Sequence, residues 1–155
     1  MSSTSNTTAC QHLAQIFASG IPLTSAMAIE VRDWQTQRLQ LHLPLTANCN
    51  HHASMFGGSL YCAAVLAGWG WLHLRLRESG IDNTNIVIQA GEISYPLPII
   101  ADAAVVCDAP DETVWTRFLQ MYKRHGKARI SLNSRVLTED GQDGACFTGQ
   151  FVLHS

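Results

Sequence analysis

The sequence predicts an α+β fold in which an antiparallel sheet wraps around one long central helix. Two stretches of alternating apolar and polar residues come first, an uncharged apolar segment follows at residues 56–74, and more alternating stretches come after it. Alternation indicates half-buried strands, and an uncharged segment of this length indicates a buried helix. The later strands follow one another through short turns or one small helix, which argues against a parallel sheet of alternating strands and helices.

Length and composition predict a single core, because 46% of the 155 residues are apolar and only 14% are charged. We expect one domain over residues 11–155, preceded by a disordered polar leader over residues 1–10. The net charge of -2 and the pI near 6.3 favour neither nucleic acid nor a membrane as partner. The leader has no basic residue ahead of an apolar run, so no secretory signal is predicted and we expect a cytoplasmic protein.

The first elements are a short helix and a pair of strands. Apolar residues at helical spacing predict a helix that ends near Gly20 and Pro22. Alternating residues then predict strands at 27–31 and 39–43, with residues 33–37 as their connection.

The uncharged segment at residues 56–74 is the one part of the sequence that resembles a membrane span. Glycines interrupt it at Gly68 and Gly70, and the rest of the chain consists of alternating strands. A helix that is apolar nearly all round and carries small residues suits the middle of a globular protein, where a sheet approaches its backbone closely. We therefore predict a buried helix, with Gly80 as its C-terminal cap.

Four further strands complete the predicted sheet. They are expected at residues 86–95, 99–107, 130–136 and 147–153. Gly91 and Glu92 interrupt the alternation of the third strand, which predicts a bulge near Gly91. A short amphipathic helix ending at Gly126 is predicted between the fourth and fifth strands. Trp69, Trp71 and Trp115 are interpreted as an aromatic cluster in the core.

A polar loop leads directly into the long helix. It contains Asn50, His51 and His52, and it ends at the glycine pair Gly57 and Gly58. The start of a helix has unpaired N–H groups and a partial positive charge, which together polarise a carbonyl group or stabilise an oxyanion. Glycines at that position allow a ligand to approach the backbone.

The stretch NHHASMFGGSLY, at the start of a long apolar helix that follows two strands, resembles the active-site entry of hotdog-fold thioesterases. Among these, the chain is most similar to the thioesterase domain at the C-terminus of some N-acetyltransferases, the YiiD C-terminal type, over nearly its whole length. The resemblance implies a hotdog fold, a homodimer or higher homo-oligomer, and hydrolysis of acyl-CoA or another acyl thioester.

Comparison with the phenylacetyl-CoA thioesterase type, whose loop resembles N-x-x-x-x-x-H-G-G, assigns roles to individual residues. Asn50 matches the Asn, and Gly57 and Gly58 match the glycines, so the resemblance implies that the Gly57 N–H polarises the thioester carbonyl. Phe56 replaces the His, and Val65 stands where that type has an Asp that activates the nucleophile. The catalytic base is therefore expected elsewhere in the chain.

Glu92 is the first candidate for this base, because a carboxylate in an apolar cleft has a raised pKa and can activate water that Asn50 orients. A solvated bulge or a pairing with an arginine would explain Glu92 equally simply. His51 and His52 come next, although adjacent side chains are expected to point apart and either ring could simply cap the loop. The side chains predicted to contact the substrate are Phe56, Ser59, His52 and Met55.

Other chemistries lack their signatures. The sequence has no HExxH or paired-cysteine spacing for a metal and no phosphate or dinucleotide fingerprint, so no metal and no cofactor are expected. It has no GxSxG motif for a serine hydrolase. The leading interpretation is an acyl-CoA thioesterase that uses water as the nucleophile. The alternatives are a hydratase or dehydratase of acyl thioesters and a non-catalytic acyl-CoA-binding or dimerisation module.

Overall fold

The computed structural model describes residues 3–35, 37–83 and 85–155, with side chains from residue 6 onward. The helices are α1 (Ser3–Gly20), α2 (Leu23–Ala26), α3 (Gly57–Glu78) and α4 (Glu112–His125). The strands are β1 (Glu30–Gln35), β2 (Arg38–Leu43), β3 (Ile86–Ser94), β4 (Ala103–Asp108), β5 (Lys127–Leu137) and β6 (Asp143–His154). They form one antiparallel sheet in the order β1-β2-β4-β5-β6-β3. The predicted α+β class is confirmed.

Helix α3 forms the centre of the core and packs against strands β2 to β6. Small residues allow this close approach, as expected. A side chain at Gly68 would overlap the ring of Phe151, and one at Gly70 would press on Leu13 and Leu39. The sheet and α1 therefore reach the backbone of α3 directly. Within the described residues, no helix is long and apolar enough to cross a membrane.

Helix α1 corrects the expectation of a disordered leader over residues 1–10. The helix begins at residue 3, and Ala9, Leu13 and Phe17 are buried at helical spacing. The Asn6 amide ties its start to β1, because its Nδ2 donates to Asp33 Oδ1 and its Oδ1 accepts from the Trp34 N–H, each at 2.7 Å. The prediction is thus wrong for residues 3–10, and residues 1 and 2 lie outside the described part of the chain.

The first strand begins later than predicted, at Glu30 instead of residue 27. Met27 ends α2, and Ala28 turns the chain with a positive φ of 53°. The strand then continues through Asp33 and the buried Trp34, which were expected in the connection. A bulge just before Asp33 breaks the alternation, so the sequence pattern ends too early.

Strand β3 has a bulge near Gly91, as predicted, and it lies two residues before the glycine. The register against β6 shifts between Ile88 and Ala90, so Gln89 is the extra residue. Gly91 itself pairs regularly, and its missing side chain leaves room for the hydroxyl of Tyr61. The glycine is required by a helix-to-sheet contact rather than by a turn in the strand.

The fourth strand is shorter than predicted, because β4 starts at Ala103 and not at Ile99. The segment before it runs alongside the polar loop, where the Ile99 carbonyl accepts a hydrogen bond from the Met55 N–H at 2.7 Å. The apolar run in the sequence thus covers two different environments, a loop contact and a strand.

The three tryptophans pack in or against the core, as predicted, but they lie in two groups and not in one cluster. Trp71 and Trp115 meet edge to face with ring centroids 5.5 Å apart, and Arg75 lies over the Trp115 ring at 4.8 Å. Trp69 instead stacks on His73, at 5.4 Å between centroids, where α3 faces α1. Successive positions on a helix are separated by about 100°, which places Trp69 and Trp71 on different faces of α3.

Candidate active site

The first turn of α3 presents free backbone donors at its surface. Phe56 has extended backbone angles and caps the helix without a side-chain hydrogen bond. The first helical bond is the one from the Leu60 N–H to the Phe56 carbonyl, at 3.1 Å. Helix geometry therefore leaves the N–H groups of Gly57, Gly58 and Ser59 without an intrahelical acceptor, beside the positive end of the helix dipole.

Asn48 anchors the loop that leads to this turn, a role that the sequence did not indicate. Its side chain is buried, and Nδ2 donates to the carbonyls of Met27 and Pro44, each at 2.8 Å. The main-chain carbonyl of Asn48 accepts a hydrogen bond from the Phe56 N–H at 2.8 Å. Asn48 thereby fixes the residue that starts α3 against the rest of the domain.

Asn50, the predicted water-orienting residue, uses its side chain to close the loop. Its Oδ1 accepts from the N–H groups of His52 and Ser54, at 2.8 and 3.1 Å, and its Nδ2 donates to Ser54 Oγ at 2.9 Å. Ala53 completes the turn with a positive φ of 60°. The structure thus places Asn50 as a loop-forming residue, with one amide N–H left over for other contacts.

His51 and His52 were expected to point apart, but in the structure they do not. Their rings lie side by side with centroids 3.9 Å apart, and both side chains are exposed. The turn formed by Asn50 and Ala53 is tight enough to bring consecutive side chains to one side of the loop. Both imidazoles are therefore available together at the surface of the loop.

Phe56 and Tyr95 border the helix start from two sides. The exposed Phe56 ring covers Gly58, where any side chain would overlap it. The Tyr95 hydroxyl donates to the Gly57 carbonyl at 3.1 Å. Burial, with Tyr61 close by, raises the pKa of Tyr95, so the hydroxyl keeps its proton at neutral pH. The sequence predicted Tyr95 only as the last residue of the third strand, whereas it lies just after β3, and no local pattern indicated its contact with Gly57.

The remaining candidates lie in different places. Glu92 pairs with Thr148 in the sheet, between inward-facing neighbours, so its side chain is on the outer face of β3 and points away from α3. Met55 is buried and packs in the core instead of facing a ligand. Ser59 is half-buried in the first turn of α3, next to the glycines. Val65 is half-buried further along the helix.

The arrangement brings together Gly57, Gly58, Ser59 and Phe56 and leaves Glu92 outside. A carbonyl oxygen placed at the helix start would receive N–H donors and the helix dipole, which is the electrostatic environment that favours attack on a thioester. Residues 56–74 contain no carboxylate. The geometry therefore supplies an electrophile-activating site, and the two loop histidines lie a few residues before it in the chain.

Solved structures of other proteins have the same fold as this chain. The chain is similar to a protein of unknown function from Chlorobaculum tepidum, with 32% identity, coverage of 94% of each chain and a TM-score of 0.89. It is also similar to a "putative thioesterase" from Shewanella oneidensis, with 28% identity, coverage of 95% of this chain and 98% of that one, and a TM-score of 0.85. The PaaI protein of Escherichia coli shares the fold at 13% identity and a TM-score of 0.65, covering 95% of this chain and 94% of that one.

These structures confirm the hotdog fold, with its sheet around the long helix. Residues 10–155 match the family described as "Putative thioesterase (yiiD_Cterm)". The match covers both the polar loop and the first turn of α3. The chain therefore belongs to this thioesterase family.

Proposed function

We propose that the protein hydrolyses acyl thioesters, with acyl-CoA as substrate and water as nucleophile. The observation that supports this most is the start of α3, where the N–H groups of Gly57, Gly58 and Ser59 lack helical acceptors. A thioester carbonyl bound there gains positive character at carbon, and the oxyanion formed by attack of water is stabilised by the same donors.

Apolar side chains around the helix start suit the acyl group. Phe56, Tyr95, Leu97 and Ile100 are all exposed. The contacts of Tyr95 with Gly57 and of Ile99 with Met55 show that this segment runs along the loop. An acyl chain lying on these residues would remove apolar surface from water, at roughly 25 cal/mol per Å².

Water needs a base, and the loop histidines are the candidates that the geometry favours within one chain. His51 and His52 are exposed side by side in the loop that precedes Gly57. An imidazole can accept the proton of an attacking water as a general base. Glu92 faces away from α3 in its own chain, so its participation would require a second copy of the protein.

A homodimer is part of the proposal. Strand β3 is an edge of the sheet and has exposed apolar residues, including Val87 and Ile88. An edge with unpaired backbone groups and apolar side chains is a natural site for pairing with a second copy. Sedimentation equilibrium should give twice the chain mass, and a Val87→Lys variant should shift the protein towards monomer.

We place this enzyme in the cytoplasm.

The test is a thiol-release assay with acyl-CoAs of graded chain length. Asn50→Ala should reduce kcat/KM by at least tenfold because the loop opens, whereas Asn50→Asp keeps the accepting oxygen and should retain more activity. Replacing both loop histidines with Gln should lower kcat by at least about tenfold, because it removes the proposed general base. Glu92→Gln is compared with Glu139→Gln, which changes an exposed carboxylate elsewhere in the chain. A loss of activity in Glu92→Gln alone would assign Glu92 to a site shared between two copies of the protein.

A second candidate is a non-catalytic module that binds acyl-CoA. The observation in its favour is the lack of a carboxylate in residues 56–74, combined with the commitment of Asn50 to the loop. Calorimetry with a non-hydrolysable acyl-CoA thioether distinguishes the two functions. Binding without thiol release on any acyl-CoA would favour the module and contradict the enzyme.

A further inference from the structure

The positive charges of this acidic protein are concentrated in one part of its sequence. The chain has ten Lys and Arg residues and a net charge of -2. Between Glu112 and Glu139 there is no carboxylate, yet six of the ten cationic residues lie in that stretch. We call four of them the cationic α4 surface: Arg117, Arg124, Lys127 and Arg129.

These four side chains have no ion-pair partner within the described residues. The ion pairs of lysine and arginine in the described part of the chain involve Arg32, Arg38, Arg75 and Arg135. Within those described ranges, no member of the cationic α4 surface has a carboxylate oxygen within 4.0 Å. Their charges are therefore uncompensated and raise the positive potential at this face.

Apolar residues accompany the charges. A groove of about 340 Å³ runs between α4 and the start of β5, with an apolar floor and a cationic rim. Its floor contains Phe118, Ala128 and Val152, and its rim contains Arg117, Lys127 and Arg129. Met121 lines the same groove and is 45% exposed, far more than a core methionine. The size suits one apolar side chain flanked by anionic groups.

The spacing along α4 extends this pattern over three turns. Val114, Arg117, Met121 and Arg124 are separated by three or four residues, so they form one exposed stripe in which apolar and cationic side chains alternate. Methionine is flexible and polarisable and adapts to a partner, and arginine pairs with carboxylates through two parallel hydrogen bonds. The stripe complements an amphipathic segment that carries carboxylates around an apolar residue.

We propose that the cationic α4 surface binds a protein partner through an acidic amphipathic segment, whose apolar side chain enters the groove. A nucleic acid would favour exposed aromatic rings for stacking, and a membrane surface would favour Trp, Phe or Leu side chains turned outward. Here the aromatic residues of α4 turn the other way, with Trp115 and Phe118 only 3% and 2% exposed. Acidic protein is therefore the partner that the surface fits best.

This surface is separate from the proposed thioesterase site. Arg75, in the last turn of α3, contacts Trp115 of α4, whereas Gly57 is in the first turn. A helix of 22 residues is about 33 Å long. Binding at the cationic α4 surface therefore does not depend on the proposed function and can be measured on its own.

Fluorescence anisotropy with a labelled synthetic peptide tests the proposal. The peptide is short and rich in glutamate with one central leucine, and the control peptide has serine in place of leucine. Arg117→Gln/Lys127→Gln/Arg129→Gln is compared with Arg32→Gln/Arg38→Gln/Arg77→Gln, which changes the net charge equally at other positions. Circular dichroism confirms that each variant is folded.

We expect the first triple variant to weaken binding of the leucine peptide at least tenfold, about 1.4 kcal/mol, and the matched triple variant to change it little. The serine peptide and a Met121→Ser variant should each show weaker binding. Equal binding of both peptides would reduce the surface to a non-specific anion site and overturn the proposal. Absence of peptide binding would also overturn it, as would binding only to single-stranded RNA or to phosphatidylglycerol vesicles.

Discussion

His12 and His73 face each other across the contact between α1 and α3, with their Nε2 atoms 2.9 Å apart. One ring must donate and the other accept, so the pair accommodates one proton between the two nitrogens and repels a second. His73 Nδ1 is buried and has no hydrogen-bond partner within the described residues. Burial, His12 and Arg77 lower the pKa of His73 to about 4, against a weaker opposite effect of Asp82.

This pair predicts that the protein loses stability in mild acid. The unfolded chain binds the His73 proton with a pKa near 6.5 and the folded chain only near 4, so the unfolded state holds more protons between these values. The contribution of His73 is complete above pH 6.5 and falls as the pH drops towards 4, by up to about 3 kcal/mol. Urea unfolding between pH 4 and pH 8 should show a smaller pH dependence for His73→Gln than for wild type. Parallel curves for His73→Gln and wild type would rule out the effect.

Gly68 gives a prediction about core packing. An added methyl group would overlap the Phe151 ring, at 2.6 Å from Cζ. Overpacking of this kind costs about 1–3 kcal/mol, which exceeds the gain in helix propensity of about 1 kcal/mol. Gly68→Ala should therefore lower the melting temperature. Gly20→Ala, where nothing lies within 4 Å, should leave it unchanged or raise it slightly, and equal effects of the two substitutions would contradict this account of the core.

The two asparagines of the loop should differ in their effect on stability. Asn48→Ala leaves the carbonyls of Met27 and Pro44 without their donors in a buried region, which costs about 1–3 kcal/mol. Asn50→Ala opens a half-buried, solvent-accessible turn and should cost less. Chemical denaturation of both variants measures the order, and a larger loss for Asn50→Ala would mean that the loop is held from its tip rather than from its base.

Phe56 and Gly58 should be energetically coupled. With Phe56 present, Gly58→Ala forces the ring away, whereas in a Phe56→Ala background the same change only improves helix propensity. A double-mutant cycle on the free energy of unfolding should give a coupling of about 1 kcal/mol. Additive effects would show that the ring does not rest on Gly58 in solution. Val114→Ala, an exposed residue of α4, serves as a background control for Phe56→Ala.

The sheet and the long helix could be predicted because their patterns are regular over many residues. The alternation of Leu39 to Leu43 and the uncharged stretch of α3 both correspond to what the structure shows. The errors occur at bulges, before Asp33 and at Gln89, where one extra residue reverses the side-chain alternation. The start of α1 was missed because Asn6 stabilises it through a residue 27 positions away.

The candidate site was predictable only in part. Gly57 and Gly58 at a helix start follow from local sequence, and the structure places them there. The contact of Tyr95 with Gly57 joins residues 38 positions apart, and no local pattern reports it. The same limit applies to Glu92, because a bulge and the sheet register decide which face its side chain occupies.

The position of α3 in the chain has a consequence for synthesis on the ribosome. The helix is complete at Glu78, but four of the strands that cover it, β3 to β6, are translated afterwards. At roughly 5–20 residues per second, the last strand emerges several seconds later. During that interval the apolar faces of α3 are uncovered and accessible to chaperones or to other nascent chains. Slowing elongation after α3 should therefore reduce the yield of folded protein more than slowing it before the helix.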